Sequence, residues 1–204
     1  MFFLIQGLKI GLLVAAPPGP VGLLCVRQTL TYGIWAGLFA GLAASIADGF
    51  YSWVAALSAS YVNGLMETHG KWFYLIGGCL LVYLGVKFIL TKIDFNKTLQ
   101  STKPKHLLSS FSYTFFLSFA SPMTTFLFIG WFTATGVFEH TLDYIDILSI
   151  VIGVFTGAMA WWVALTSLVQ ATKKKLRNEV FQFLNRASGT VILGYGIYTL
   201  TKLI

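Results

Sequence analysis

Apolar residues fall in six runs, at about 3 to 26, 34 to 60, 72 to 91, 107 to 137, 147 to 171 and 181 to 203, each bounded by charged or turn-forming residues. A bilayer-crossing helix needs about 20 mostly apolar residues. The pattern therefore predicts six transmembrane helices with short connections, an all-α integral membrane protein forming a single transmembrane domain over residues 1–204. The first run is read as a retained helix and not as a secretory signal. No basic stretch precedes it, and Pro17-Pro18-Gly19-Pro20 lies inside it.

Composition agrees with the pattern. The chain is 56% hydrophobic and 10% charged, with 18 Phe, 9 Tyr and 6 Trp, and its mean hydropathy is +0.76. Ordinary soluble domains carry about 25% charged residues, so too few polar side chains remain to cover a water-facing surface. The net charge of +7 raises the question of nucleic acid, and its distribution answers otherwise. Eleven of the 14 cations fall on one side of the predicted helices: Arg27, Lys87, Lys92, Lys97, Lys103, Lys105, Lys173, Lys174, Lys175, Arg177 and Arg186. Basic connections stay in the cytoplasm, so this side is inside, both termini face outward, and the excess positive charge contacts membrane lipid and not nucleic acid.

Cys25 and Cys79 lie far apart in apolar runs and read as small hydrophobes. His69, His106 and His140 each stand alone outside the runs. No cofactor or metal site is expected.

The runs repeat. Gly77-Gly78-Cys79-Leu80-Leu81-Val82-Tyr83-Leu84-Gly85 aligns with Ser188-Gly189-Thr190-Val191-Ile192-Leu193-Gly194-Tyr195-Gly196; the second and fifth runs share a GxxxG, Gly37 and Gly41 against Gly153 and Gly157. The first and fourth runs each carry an interior proline break. Three helices per repeat force opposite orientations, giving repeat one at about 1–91, a basic linker at about 92–106 and repeat two at about 107–204. This inverted-repeat plan is that of many secondary transporters, whose sites lie near the bilayer midplane.

The breaks follow the same symmetry. Phe3 to Pro18 is 15 residues and Leu107 to Ser121 is 14, each about 22 Å of helix from opposite faces. Proline removes a hydrogen bond and clashes with the preceding turn, so Pro17 to Pro20 and Pro122 are expected to end one half-helix and start another. Their N-termini, at Pro18, Gly19 and Pro20 and at Ser121, Pro122 and Thr124, would suit a carboxylate. Ser118 and Thr125 supply further hydroxyls.

Asp48 is the only acidic residue inside a predicted helix. Burying a carboxylate there costs about 2.5 to 3.5 kcal/mol on insertion scales, a cost that a proton or a bound cation would relieve. It adjoins a small-residue stripe, Gly33, Gly37, Gly41, Ser45 and Gly49, suited to close helix packing beside a substrate passage. The aligned position in the fifth run is Ala164. Trp35, Trp53, Trp72 and Trp131 read as interfacial anchors; Trp161 and Trp162 lie deeper, where one of them would line a cavity.

Pro18-Gly19-Pro20, Arg27-Gln28-Thr29-Leu30, the glycines at 33, 37 and 41 and Asp48-Gly49 together resemble the N-terminal signature of the lysine exporter (LysE) family of amino-acid efflux proteins. Tyr83-Leu84-Gly85 and Ser121-Pro122 resemble that family as well, although Ser121 stands where it usually has Asn, and Met123 where many members have Lys. The resemblance implies export of amino acids or similar small amines across a bacterial inner membrane, coupled to the membrane gradient. A zwitterionic substrate would set its carboxylate against the half-helix starts, while Asp48 takes its ammonium or a proton. The alternatives are a metal-cation exporter of the same superfamily and a passive channel. An intramembrane enzyme would need a nucleophile beside a base, and all three histidines fall in connections, so no enzyme is expected. An exposed GxxxG face would suit a homodimer.

Overall fold

The computed structural model describes residues 1–17, 19–91, 107–119, 122–140, 142–172 and 178–201. These are helical, with no strand among them. α1 runs Phe2–Ala15, α2 Pro20–Tyr32, α3 Ile34–Leu90, α4 Leu107–Phe119, α5 Pro122–Ala134, α6 Tyr144–Ala171 and α7 Asn178–Thr201, with a short 3-10 turn at Val137–Glu139 between α5 and α6.

The local chemistry sets these boundaries. Gly19 is extended, its N–H donates to the Pro17 carbonyl at 2.7 Å, and Pro20 occupies the first turn of α2, where its missing N–H costs nothing. The single residue between α2 and α3 is Gly33 at φ +92°, a conformation that any side chain would strain. Asp143 and Asp146 cap the start of α6 reciprocally. Pro122 is the first described residue of α5.

Two expectations about connections are corrected here. The second and third apolar runs are joined by residues that keep helical backbone, so the span Ile34–Leu90 holds no extended or glycine-turn connection like the one at Gly33. The stretch nonetheless doubles back. Tyr51 and Leu81 would be about 45 Å apart along a straight helix, yet both pack on α5: the Tyr51 and Phe128 rings stack at 6.3 Å, and Leu81 fills the space beside Gly130. The two limbs are Ile34–Ser58 and Tyr74–Leu90. Secondly, Arg27 lies not in a connection but inside α2, 7% exposed. The break at 17–19 restarts the helix late, so α2 runs on to Tyr32 before a glycine stops it.

Direction follows from the contacts. The backbones of Gly7 and Gly11 lie against Ile150, Gly153 and Val154, and those of Gly153 and Gly157 against Leu4 and Leu8, so α1 runs parallel to α6. Gly37 faces Thr29 and Thr166, Gly41 faces Trp162, and Ser45 meets Met159, so the first limb of α3 runs antiparallel to α6. The second limb of α3 crosses α7 at interleaved glycines. A Cβ on Gly85 would stand 2.7 Å from the Leu193 nitrogen, and one on Gly196 would stand 2.7 Å from the Val82 nitrogen. Likewise a Cβ on Gly189 would lie 2.9 Å from the Gly85 carbonyl oxygen and one on Gly78 3.2 Å from that of Gly196. Small residues at such crossings let backbones meet where no hydrophobic force between helices is available.

The main core gathers Ile10, Leu81, Phe128, Trp131, Phe132 and Ile150. Trp131 thus departs from its expected interfacial position: it is fully buried, its ring edge-on to Tyr195 at 4.5 Å. The outer surface is also apolar, with Leu90, Phe116, Ile145, Leu148, Tyr198 and Ile197 all more than half exposed. Water-soluble monomers rarely tolerate such surface. Two described stretches, Ile34–Ser58 and Tyr144–Ala171, are each long and apolar enough to cross a bilayer, while Phe2–Ala15 and Tyr74–Leu90 are shorter apolar helices.

Candidate functional site

The two helix breaks and Asp48 meet at one cavity of about 70 Å³, room for a few water molecules. From the first break come Pro17, Gly19 and Gly22; from either side of the second come Ser118 and Thr124; Asp48 and Trp162 enter from α3 and α6. Apolar walls, among them Val14, Phe88 and Leu127, close the remainder. The first turn of α2 lacks intrahelical acceptors for its N–H groups, and glycines at 19 and 22 leave that backbone uncovered by side chains. The positive end of the α2 dipole therefore faces the same space as the carboxylate.

Asp48 is 5% exposed and has no hydrogen-bonding or ionic partner among the described residues. One turn further along α3, the Tyr51 hydroxyl donates to the carbonyl of Phe119, the last described residue of α4, at 2.7 Å. Phe119 also packs on Phe50, Tyr51 and Phe115.

The other predicted residues fall in four groups. Gly19 and Thr124 line the cavity, and Pro20 and Pro122 head α2 and α5. Ser45 is buried one turn before Asp48, but its hydroxyl donates to the Gly41 carbonyl and it does not line the cavity. Pro18 and Ser121 lie outside the described residues. Gly37, Gly41, Gly153 and Gly157 sit at helix contacts, yet the two aligned pairs differ: Gly153 and Gly157 meet the α1 backbone, whereas Gly37 and Gly41 receive the side chains of Thr29, Thr166 and Trp162.

Sequence reasoning missed a second polar layer. Gln28 is fully buried, its Oε1 accepts a hydrogen bond from Ser110 at 3.1 Å, and its Nε2 has no partner among the described residues. This pair ties α2 to α4 beside Arg27. The available signal was a polar triplet, Arg27-Gln28-Thr29, with no turn residue before Gly33.

Apolar helices gathered around one internal carboxylate, inside an outer surface this hydrophobic, define a helical membrane protein with a small internal cavity. The LysE type translocator family model matches residues 12–203. The chain belongs to that family of membrane transporters. It is 24% identical to the uncharacterized membrane protein YrhP of Bacillus subtilis strain 168, over 98% of this chain and 99% of that one. Its identity to the uncharacterized membrane protein slr1627 of Synechocystis sp. PCC 6803 is also 24%, over 93% and 91% of the two chains. To YcgF of Bacillus subtilis strain 168, whose name gives amino-acid efflux as its supposed role, it is 21% identical over 93% and 90%. No solved structure matches the chain.

Proposed function

We propose that this translocator is a secondary transporter of the bacterial inner membrane. It exports amino acids or related small amines from the cytoplasm by alternating access, in exchange for protons. The observation that carries the reading is the convergence of Asp48, the glycine-lined start of α2 and the two sides of the α4–α5 break on one cavity. A zwitterion entering it sets its carboxylate toward the half-helix N-termini after Pro20 and Pro122, where dipole and free N–H groups favour negative charge. Its ammonium neutralises Asp48. When the substrate leaves, a proton takes its place, because a bare carboxylate at that depth is costly. Amino acids as the cargo draw support from the name of YcgF.

In this reading the chain crosses the bilayer six times as two inverted repeats, with both termini outside. Supporting it, the α3–α7 crossing is nearly self-symmetric: the approach of Gly85 to Leu193 has as its counterpart that of Gly196 to Val82, at the same 2.7 Å. Aligned residues of the two repeats exchange roles in that contact, as a two-fold axis in the membrane plane requires. The chemistry is less symmetric, since Asp48 has Ala164 as its counterpart.

Growth of an overexpressing strain on a panel of toxic amino acids and amine analogues tests the export reading. Resistance to one chemical class is the expected result and names the cargo. Sensitivity unchanged across the whole panel, with the protein present in the membrane, would rule the reading out.

A further inference from the structure

Two hydrogen-bond donors at the cavity have no acceptor. Trp162 and Ser118 line it from α6 and α4, each only 3% exposed, and neither the indole Nε1 nor the serine hydroxyl has a partner among the described residues. Orphaned buried donors are expensive, and neither arises by default packing. Helical Ser and Thr side chains ordinarily relieve themselves on the carbonyl four residues back, as Thr29, Ser45, Thr114 and Thr166 do here. Ser118 does not. The Trp162 side chain is seated by Gly41: a Cβ there would stand 2.5 Å from the Trp162 Cβ and 2.8 Å from its Cγ, so α3 fixes where the indole lies.

The geometry points to Trp162 and Ser118 as a donor pair that receives the carboxylate of the transported molecule while its ammonium faces Asp48. The assignment rests on the export reading and adds which side chains recognise the acid end. A bare amine satisfies Asp48 but leaves both donors unpaired, and a site built to hydrogen-bond one group discriminates against analogues lacking it. Gly41 acts at one remove, as the positioning residue for the indole.

Solute counterflow by the full chain in proteoliposomes tests this with matched probes: L-alanine and ethylamine, L-leucine and isoamylamine, L-lysine and cadaverine. Trp162→Phe, which keeps a ring, and Ser118→Ala each raise the half-saturating concentration of the amino acid roughly tenfold, the loss of one hydrogen bond to a charged group. The paired amine shifts by no more than about twofold under the same reasoning, and Ser118→Thr keeps the wild-type ratio. Equal losses for both members of a pair, or an unchanged amino-acid affinity, would overturn the assignment. Wild-type protein that moves amines but no amino acid overturns the assignment alone; wild-type protein that moves neither overturns the export reading with it.

Discussion

The Tyr51 hydroxyl donates to the carbonyl oxygen of Phe119 at 2.7 Å, joining the helix turn that follows Asp48 to the last described residue of α4. A broken helix leaves acceptors at the end of its first half, and in an apolar interior only a side chain can serve them. Tyr51→Phe keeps the ring packing against Phe119 and Phe128 and removes only the donor. The expected cost is about 1 to 3 kcal/mol, read as a midpoint of thermal unfolding in detergent a few degrees below wild type. An unchanged midpoint would mean that the Phe119 carbonyl finds another partner.

The glycine crossing of α3 and α7 makes a paired prediction. Gly85→Ala and Gly196→Ala each place a Cβ against backbone, and overpacking of this kind costs about 1 to 3 kcal/mol. The inverted-repeat account expects the two losses to be similar, because each contact is the counterpart of the other. Gly194→Ala, with nothing within 4 Å of its Cβ, loses no thermal stability and serves as the control. A large loss at one crossing glycine and none at the other would contradict the symmetry.

Orientation is open to a direct check. Alkaline phosphatase, active only outside the cytoplasm, is expected to be active when fused after Ile204 and inactive when fused within the basic segment after Lys97. The opposite pattern would reverse the assignment made from the distribution of cations.

The first break was legible in the sequence, because proline acts through its own missing N–H and its clash with the preceding turn, whatever the tertiary surroundings; the second falls at residues outside the described ones. Asp48 was legible for a similar reason: a lone acid in an apolar run is costly wherever its neighbours lie. Arg27 was misjudged because the position of a helix end depends on where the helix restarted. Trp131 was misjudged because exposure depends on what packs over it, here Tyr195 from the far end of the chain. The connection between the limbs of α3 was expected to interrupt the helix, but its residues keep helical backbone while the chain doubles back. Least legible were the unpaired donors of Trp162 and Ser118, since the lack of a partner is a property of the assembled cavity and not of either residue.

The account stands on Asp48 exchanging substrate and proton within the cavity. Its most direct test is accumulation of the cargo in proteoliposomes under an imposed pH gradient, comparing wild type with Asp48→Asn, a near-isosteric change that removes the charge. The account predicts that gradient-driven accumulation is abolished while the variant keeps its thermal stability, since no described partner of Asp48 is lost. Undiminished accumulation by Asp48→Asn would contradict it.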